Sequence, residues 1–587
     1  MGNKWKQILY LLILLIVAPM LSFAAGFDAL KKTYAGVSAL EANFHQKLYI
    51  ASIKKVREFD GEFFYKRGKG FLWRYTKPKV KYFLYDGQYM WQDEEEKTFV
   101  LKEKINKEKT GGTFLDLVED ITKIDDLFTL KQEGVSGDMT ALDLVPKKEG
   151  NITAAAVSVV CDIGAFNRQV GDSLGSTIQE LSLYRIPNLS IKVFNVITNK
   201  APTGPYRAPN AADAAFAVES QMDLLARALQ MDPIDFRLKN AVAEGDRVIT
   251  NPPFSRIGFT EALLKMKDYL NRRDKPEGKN RGTGIACGLW PAFGGACSAQ
   301  VNVTPDGSVT LLIGSLDLTG TRTSLAQIVA EEFGIAFDLV TVVTGDTDAA
   351  PYSEVSAGSK ITRQMGIAVR RACQDAKDQL ARQAAPLLKV EPTDFSFTHG
   401  NVQVNGMPEK SVSLSTLVRN SIGRFGSGPI TGRGSVGVHP TAPIFVVQMA
   451  DVEVDKETGK VKILSYAAAQ DVGFAINPSL IEGQIQGAVA QGIGRTLMEE
   501  YVFQNGIMQN PNLLDYRIPT AADLPFIDTM LIEVGSGIEP FGARAVGEPP
   551  MIPTLAAVAN AIHSATGVRL KELPMTPEAV LKTIQAE

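Results

Sequence analysis

One glutamate in the C-terminal half of the chain has a setting that suits acid–base chemistry. Glu548 lies in the segment GARAVGEPPMIP, with Gly547 before it and Pro549 and Pro550 after it. A glycine lets the backbone approach a ligand closely, and the two prolines stiffen the loop. Apolar neighbours disfavour the carboxylate and so raise its pKa towards the range of a general base. The segment predicts a catalytic carboxylate, although the same residues also form structural turns.

Three segments that precede this one carry polar residues beside glycines. They are PTGPYRAPN with Arg207, VSAGSK with Gly358 and Ser359, and IEGQIQG with Gln484. Charged donors, amides and closely approaching backbone N–H groups are what an anionic, oxygen-rich cofactor requires. There is no GxxxxGK[ST] motif, and no GxGxxG follows a strand to open a helix, so the glycines do not indicate a nucleotide-phosphate loop.

Together these segments resemble the molybdopterin-binding large subunit of the xanthine dehydrogenase/aldehyde oxidase family of molybdenum hydroxylases. The resemblance covers residues 151–587 and implies a molybdopterin-type molybdenum cofactor, with iron–sulfur and flavin subunits as partners. It implies that Glu548 is the general base for the hydroxyl that attacks an electron-poor carbon of an aldehyde or N-heterocycle. It implies no protein ligand to the metal. The implied cofactor-binding residues are Arg207, Ala357, Gly358, Ser359, Gln484 and Gly547.

The sequence departs from this family pattern in two ways. The family's large subunit usually has a few hundred further residues before the segment VCDIGAF, which supply a glycine-rich loop at the metal and one wall of the substrate pocket. The family's glycine–glutamine–glycine motif falls at DLTGTRT, where Leu318 and Thr319 replace the first two residues. One glutamine donor is therefore missing. The sequence also has no iron–sulfur cysteine set and no flavin motif, so electrons would leave through other chains.

The elements that hold these segments are predicted to be mixed α and β. The spacing predicts helices in AADAAFAVESQMDLLARALQ, SLAQIVAEEFG and QMGIAVRRACQDAKDQLARQAAPLL, and hairpins in TPDGSVTLLIG and DKETGKVKILSY. We therefore expect residues 151–587 to form mixed α/β molybdopterin-binding domains. If there are two subdomains, we expect the boundary between them near residues 270–285.

Residues 26–150 have a different composition, rich in Lys, Phe, Tyr and Glu. The segment GEFFYKRGKGFLWRYTKP turns at Gly68–Gly70, and YFLYDGQYMWQ has an Asp86–Gly87 turn between two aromatic runs. The pattern predicts an aromatic antiparallel sheet. Such a sheet needs something apolar against its inner face, either its own helices or an apolar ligand.

These motifs, together with ANFHQ before them, resemble the outer-membrane lipoprotein carrier LolA. In that family an incomplete antiparallel barrel closed by helices holds lipoprotein acyl chains and carries them across the periplasm. The resemblance implies a partial antiparallel β-barrel-like sheet, lipoproteins as partners, and a role for Arg67 in holding the closed lid. The alternative for Arg67 is a turn residue with a solvated head. The further strands that complete the family's barrel are missing.

Residues 1–25 have the layout of a secretory signal peptide. Lys4 and Lys6 precede a short apolar run, and small residues follow, with cleavage expected near Ala24. The alternative is an uncleaved membrane anchor, which the shortness of the run disfavours. The signal predicts a periplasmic protein. This conflicts with the cytoplasmic cofactor assembly that the resemblance of the C-terminal region implies.

The fold class expected for the whole chain is multidomain α+β. A formal net charge of -3 provides no basic field for nucleic acid. The four cysteines are far apart without a CxxC pair, which favours buried small hydrophobic residues over a metal site. They are Cys161, Cys287, Cys297 and Cys373.

Three hypotheses about function follow from the sequence. The chain is an oxidoreductase subunit, or an exported lipid-binding carrier with an appended C-terminal region, or a chimera of two truncated reading frames with neither activity. The third is favoured by the abrupt change of composition near residue 150 without a Pro/Ser/Gly linker. Neither the substrate nor the oligomeric state can be read from the sequence.

Overall fold

The computed structural model divides the chain into two compact units, Met1–Ala154 and Ala155–Glu587. The predicted signal peptide (residues 1–25) and Arg67 lie outside the described residues. The structure describes residues 38–50, 55–66, 69–77, 80–86, 88–94, 101–104, 128–136, 139–146, 150–165, 172–246, 253–291, 293–438, 443–535 and 540–586.

The first unit contains an antiparallel sheet in which consecutive strands are neighbours. In the part of this unit that the structure describes, the sheet is open, with its first and sixth strands at the edges. A separate hairpin follows it. The sheet strands are β1 (Ala39–Ile50), β2 (Lys55–Lys66), β3 (Gly70–Lys77), β4 (Lys81–Tyr85), β5 (Tyr89–Glu94) and β6 (Leu101–Lys104), and the hairpin strands are β7 (Phe128–Ser136) and β8 (Met139–Pro146).

One face of this sheet is lined with buried aromatic rings. Strand β3 buries every second residue, as expected for a strand with one covered face. Its rings Phe71, Trp73 and Tyr75 are joined by Phe83 and Tyr85 from β4. Trp73 and Tyr75 stack with ring centroids 6.2 Å apart, and Phe71 lies 5.5 Å from Tyr85. The predicted aromatic inner face is therefore present.

Both hairpins predicted in this unit are confirmed. Strand β2 pairs antiparallel with β3, and β4 pairs antiparallel with β5. At the second turn the Asp86 carboxylate accepts hydrogen bonds from the backbone N–H groups of Gln88 (2.9 Å) and Tyr89 (2.6 Å). Such local side-chain bonds are the reason why Asp favours turns. The order of this sheet is thus set by signals between neighbours in sequence.

The second unit is mixed α/β. Its strands are β9 (Ala155–Gly164), β10 (Leu189–Ile197), β11 (Arg281–Trp290), β12 (Cys297–Val303), β13 (Val309–Ile313), β14 (Val340–Val343), β15 (Phe395–Thr398), β16 (Asn401–Val404), β17 (Met407–Ser413), β18 (Ile430–Val436), β19 (Ile444–Val454), β20 (Val461–Asp471), β21 (Phe503–Gln504), β22 (Ile507–Met508) and β23 (Ile527–Ile532). Its α-helices are α1 (Asp172–Leu181), α2 (Ala211–Ala228), α3 (Pro233–Asn240), α4 (Phe259–Arg272), α5 (Thr321–Phe333), α6 (Ile361–Leu388), α7 (Leu414–Ile422), α8 (Pro478–Leu497), α9 (Thr554–Thr566) and α10 (Pro577–Ala586).

The helices and hairpins predicted for this unit are confirmed. The three predicted helices are α2, α5 and α6, and the two predicted hairpins are β12/β13 and β19/β20. Two four-stranded sheets carry the unit, with strand orders β11-β19-β20-β23 and β14-β13-β12-β18. The predicted break near residues 270–285 stays a prediction, and Ala155–Glu587 form one compact unit.

Glycines in the strands let helices lie close to the two sheets. A Cβ on Gly284 of β11 would lie 2.1 Å from the backbone nitrogen of Ala561 in α9. A Cβ on Gly434 of β18 would lie 2.1 Å from the carbonyl oxygen of Ala368 in α6. No side chain fits at either place, so glycine is required for these helix–sheet contacts. Helices α9 and α6 are therefore fixed against the sheets.

Buried ion pairs connect elements of the second unit. Glu219 of α2 and Arg237 of α3 are both fully buried, and Arg237 Nε lies 2.8 Å from Glu219 Oε2. Arg237 also donates to the carbonyl oxygen of Ile285 in β11. A buried pair of this kind contributes little net stability when intact but is costly to break.

None of the described helices is long and apolar enough to cross a membrane. Among the same residues, no group of three or more His, Cys, Asp and Glu side chains is placed to hold a metal ion. Cys287, Cys297 and Cys373 are buried free thiols, as predicted, whereas Cys161 is half-buried.

Candidate active site

Four segments that are far apart in the chain meet at Glu548. Arg207 donates from Nε to the carbonyl oxygen of Gly547 (2.6 Å) and from Nη2 to Gln484 Oε1 (3.0 Å). Ser359 Oγ donates to Glu548 Oε2 (2.8 Å) and accepts from the backbone N–H of Glu548 (2.8 Å). These five residues form one connected group, which we call the Glu548 cluster. Five of the seven residues predicted for this site therefore lie together.

The elements around the cluster fix its side chains. Gln484 lies in the second turn of α8. The helix begins at Pro478, and the side chain of Asn477 caps it by accepting a hydrogen bond from the N–H of Leu480 (3.1 Å). Ser359 immediately precedes the capping residue of α6. Arg207 lies in the loop before α2. Helix ends and loops thus carry the polar groups, and the helices behind them are packed on the sheets.

Two consecutive residues before α6 have left-handed backbone conformations. The φ angle is 73° at Gly358 and 58° at Ser359. A positive φ is costly for a residue other than glycine. The paired hydrogen bonds between Ser359 and Glu548 supply the local contacts that hold this conformation. The other predicted residue of this loop, Ala357, is exposed, and its N–H bonds to the carbonyl oxygen of Val355 (3.0 Å), not to the cluster.

Burial within the cluster shifts the pKa values of its two charged side chains, Glu548 and Arg207. Burial raises the pKa of Glu548, and the hydroxyl of Ser359, a backbone bond from Ala208 and the charge of Arg207 oppose the rise. Burial lowers the pKa of Arg207, opposed by Glu548. The rise predicted for the Glu548 pKa is confirmed. A carboxylate with a raised pKa is better matched to proton transfer near neutral pH.

Gln448 holds the loop that follows Glu548. This fully buried side chain donates from Nε2 to the carbonyl oxygen of Pro550 (2.6 Å). Its Oε1 accepts from the hydroxyl groups of Tyr466 (2.7 Å) and Thr554 (2.9 Å). The loop is therefore fixed to β19 by a satisfied amide. Nothing in the local sequence around Gln448 indicates this role.

A buried ion pair holds the loop that precedes Glu548. Arg544 bonds to the carboxylate of Asp471 and donates to the carbonyl oxygen of Pro443 (3.0 Å). Burial raises the pKa of Asp471 to about 6, and Arg544 and the backbone N–H of Gly258 oppose the rise. The GARAVGEPP and DVGFAINP segments are thus tied to each other. The sequence singled out the first of these segments but did not predict its pairing with the second.

An aromatic pair beside Gly358 was also missed. The indole N–H of Trp290 donates to the carbonyl oxygen of Gly358 (3.3 Å). The rings of Trp290 and Phe293 meet edge to face, with centroids 5.5 Å apart, and Phe293 is 49% exposed. A Cβ on Gly358 would lie 3.2 Å from the Phe293 ring. The available signal was the aromatic residues of GLWPAF, which stand at the end of β11.

A second polar group lies next to Arg207 in the chain. Glu499 Oε2 accepts from the hydroxyls of Tyr206 (3.1 Å) and Tyr516 (2.7 Å). Burial raises the pKa of both tyrosines. The Tyr516 ring also lies 5.1 Å from the ring of Tyr501. These contacts fix Tyr206, and with it the start of the Arg207 segment.

The residues present fit an anionic, oxygen-rich cofactor. Gln364, in the first turn of α6, is 2% exposed, and neither its amide nitrogen nor its amide oxygen has a partner. Buried polar groups are normally satisfied, so such atoms indicate a missing ligand or water. Gln484 uses its oxygen for Arg207, which leaves its amide N–H groups for a further acceptor.

The segment DLTGTRT remains the weak point of this fit. Thr319, which stands at the position of the family's glutamine, is half-buried, and Leu318 is 64% exposed. Gly320 has a φ of 75°, and a Cβ there would lie 2.8 Å from the side chain of Leu480 in α8. The backbone of this segment is therefore packed beside the helix of Gln484, but a threonine offers a shorter donor than a glutamine.

Family models match both units of the chain. The molybdopterin cofactor-binding domain matches residues 138–241 and residues 262–525. The outer membrane lipoprotein carrier protein LolA matches residues 35–188. The two kinds of match overlap between residues 138 and 188, so they do not locate the junction. The boundary at about residue 150 therefore stays a prediction. The structure divides the chain into its two compact units after Ala154.

Curated relatives and solved structures match about three quarters of the chain. The xanthine dehydrogenase molybdenum-binding subunit of Escherichia coli O157:H7 is 30% identical over 452 residues, which are 73% of this chain and 60% of the relative. The nicotine 6-hydroxylase large subunit of Paenarthrobacter nicotinovorans is 30% identical over 472 residues, 74% of this chain and 58% of the relative. Quinoline 2-oxidoreductase from Pseudomonas putida 86 superposes with a TM-score of 0.70 at 26% identity, covering 74% of this chain and 60% of its own.

The chain thus spans about 60% of the length of the curated relatives that it matches. The proteins with which it aligns are named as molybdenum-binding or large subunits, and the model matches assign two molybdopterin cofactor-binding domains to it. The C-terminal part of the chain is related to the molybdopterin-binding large subunits of the xanthine dehydrogenase type, and its N-terminal part resembles the lipoprotein carrier LolA.

Proposed function

We propose that residues 155–587 act as a molybdopterin-binding subunit of a hydroxylase in which Glu548 is the general base. The observation that supports this best is the Glu548 cluster. Its members come from four segments, and the hydrogen bonds of Arg207 to Gln484 and to Gly547 span 277 and 340 residues of sequence. Structural turns of the Gly-Glu-Pro-Pro type do not need such partners.

The side chains have separate roles in this proposal. A bound molybdopterin cofactor supplies the two-electron redox chemistry. Glu548 takes the proton from the oxygen nucleophile that attacks an electron-poor carbon. Ser359 orients the carboxylate by donating to Oε2, and Arg207 holds the Glu548 loop against α8. The amide N–H groups of Gln484 would donate hydrogen bonds to the cofactor. Gly358 has no side chain, so its backbone would let the cofactor approach closely.

The proposed substrate is an aldehyde or a nitrogen heterocycle with an electron-poor carbon. Trp290 and Phe293 place aromatic surface beside Gly358, where a planar ring can pack against them. Two of the matched proteins are named for nicotine and quinoline, which contain such rings. Iron–sulfur and flavin subunits are the proposed partners that carry the electrons away.

The test is the metal content of the chain produced in the cytoplasm without residues 1–25. We expect molybdenum to copurify with the protein and pterin to be released on denaturation. A matched sample with residues 1–25 retained and exported should carry less metal, because cofactor assembly is cytoplasmic. A folded second unit without molybdenum would rule out the hydroxylase proposal.

A second candidate function is supported by the aromatic face of the first unit. Five rings on β3 and β4 lie on one face of the sheet and are buried, and in this proposal acyl chains pack against that face, as the LolA resemblance implies. In this proposal the sheet is part of a barrel-like cavity, and Arg67 helps to hold its lid. Binding of a fluorescent fatty acid tests it, and no binding at millimolar concentration would contradict it. A chain that binds neither molybdenum nor acyl chains would support the chimera hypothesis.

The proposed location is the periplasm, with residues 1–25 as the signal. The supporting observation is the sequence of a basic start, an apolar run and small residues near Ala24. Cell fractionation followed by mass spectrometry of the mature N-terminus tests the proposal. An intact N-terminus in the cytoplasm would contradict it.

A further inference from the structure

The turn between Tyr206 and Asn210 has a backbone that its own sequence does not favour. The φ angle is 56° at Ala208 and 57° at Asn210. A positive φ is costly for alanine, and a residue that precedes a proline, as Ala208 precedes Pro209, is normally extended. Strained backbone of this kind persists only where surrounding contacts hold it. The turn therefore depends on contacts from outside it.

This turn contributes directly to the surroundings of Glu548. The backbone N–H of Ala208, a fully buried residue, donates a hydrogen bond to the Glu548 carboxylate. Arg207 of the same turn donates to the carbonyl oxygen of Gly547 (2.6 Å). A carboxylate that accepts a backbone N–H bond is stabilised in its charged form. The position of the turn therefore affects how readily Glu548 ionises.

Contacts from both ends of helix α8 hold the turn. Near the start of the helix, Gln484 Oε1 accepts from Arg207 (3.0 Å). Just beyond its end, Glu499 Oε2 accepts from the hydroxyl of Tyr206 (3.1 Å). The guanidinium of Arg495, in the last turn of the helix, lies over the Tyr206 ring at 5.1 Å from its centroid. Tyr206 is thus fixed by a hydrogen bond and by a cation–π contact.

We propose that Glu499 is a positioning residue that acts through Tyr206 on the turn and so keeps the Ala208 N–H on the Glu548 carboxylate. Glu499 is itself fixed, because its Oε2 also accepts from the hydroxyl of Tyr516 (2.7 Å). Hydrogen bonds to an ionised carboxylate are stronger than those between neutral groups, so this anchor is firm. The effect on catalysis rests on the proposed function, whereas the position of the turn can be measured without the cofactor.

The test is hydrogen exchange of the amides in residues 206–210 of the full chain without cofactor. Tyr206→Phe should speed this exchange by roughly tenfold or more, as expected when a hydrogen bond to a charged group is lost. Glu499→Leu should have the same effect. Glu499→Gln should keep most of the protection, because its amide oxygen still accepts a hydrogen bond. Exchange in the buried strand β19 should not change in any of these variants.

The matched control is Tyr269→Phe. The Tyr269 hydroxyl also donates to a carboxylate, that of Asp528 (2.5 Å), but Tyr269 lies in α4. This variant should leave exchange in residues 206–210 unchanged. The proposal would be overturned by unchanged exchange in Tyr206→Phe and Glu499→Leu, by an equal increase in Tyr269→Phe, or by an increase that extends to β19.

The pH profile of the molybdenum-loaded chain gives a second readout. The Ala208 bond and the charge of Arg207 both lower the pKa of Glu548. Tyr206→Phe should therefore raise this pKa and move the acid side of the profile to higher pH. A lower kcat with an unmoved profile would show a merely structural role and would overturn the proposal. A chain without molybdenum would refute the proposed function alone, and bound molybdenum with unchanged exchange would refute only the positioning role.

Discussion

The two units of the chain are built by different rules. In the first unit each strand of the six-stranded sheet pairs with its neighbour in sequence, and the aromatic face follows from alternation along β3 and β4. In the second unit the sheet order β11-β19-β20-β23 brings distant segments together, and the Glu548 cluster joins residues up to 340 positions apart. Local pairing can build a surface for an apolar ligand. Placing a carboxylate, a guanidinium and an amide at one point requires long-range packing.

Charge pairs show the same difference. In the first unit, Lys77 Nζ lies 3.7 Å from Asp60 Oδ2, with side chains 77% and 43% exposed. In the second unit, Arg237 and Glu219 lie 2.8 Å apart and are both fully buried. Exposed pairs are screened by solvent, whereas a buried pair cannot lose one member cheaply. The comparison between the units therefore yields experiments with effects of very different sizes.

The largest expected effect is on turnover. Glu548→Gln keeps the shape of the side chain but removes the base, so turnover of the metal-loaded protein should fall by about 10²–10⁴-fold while molybdenum is retained. The matched control is Glu500→Gln, because Glu500 is exposed. Steady-state kinetics with normalised molybdenum content makes the comparison. Retained turnover in Glu548→Gln would remove this residue from the mechanism.

The next largest effect is expected on the free energy of unfolding when one member of an ion pair is replaced, and only in the second unit. Arg237→Met leaves Glu219 buried without its partner, which should cost about 3–5 kcal/mol in the free energy of unfolding. The corresponding change in the first unit, Lys77→Met, should have no measurable effect, because the Lys77–Asp60 pair is exposed. Chemical unfolding of both variants checks this. Equal effects would mean that the two units do not differ in the way described.

The pH dependence of activity should report the environment of Glu548. A general base works when ionised, so activity should fall as the pH drops through the raised pKa of Glu548. Ser359→Ala removes a hydrogen bond that lowers this pKa, so the acid side of the profile should move to higher pH. Ser298→Ala is the control, since the Ser298 hydroxyl bonds to the carbonyl oxygen of Tyr352. A shift to lower pH in Ser359→Ala would contradict this account of the cluster.

The smallest effect is expected on acyl-chain binding by the first unit. Phe83 is 7% exposed and the adjacent Leu84 is 42% exposed, so they occupy opposite faces of β4. Phe83→Ala should weaken binding of a fluorescent fatty acid severalfold, because it removes apolar contact area from the aromatic face. Leu84→Ala should leave the affinity unchanged, and neither variant should alter the molybdenum content. Equal losses in both would show that the aromatic face is not the binding surface.

The sequence predicted the elements that depend on residues close together in the chain, and the site residues that belong to family motifs. The turn at Asp86, the hairpins and the long helices follow from spacing and turn residues, and Arg207, Ser359, Gln484 and Glu548 were found from motif resemblance. The clustering of these four side chains could be expected only from the resemblance, since no local pattern links them.

Other features could not be predicted because each depends on partners far away in sequence. Gln448 touches Pro550 across 102 positions, and Arg544 bonds to Asp471 across 73. The aromatic pair Trp290 and Phe293 acquires its place beside Gly358 only when β11 lies near the loop before α6.

The most direct test of the central claim is anomalous diffraction at the molybdenum edge from crystals of the metal-loaded chain. The account predicts one strong peak in the second unit, beside the backbone of Gly358 and next to the Glu548 cluster formed with Arg207, Ser359 and Gln484. A peak elsewhere in the second unit, or none in a chain whose solution still contains molybdenum, would contradict the assignment of this cluster as the cofactor site.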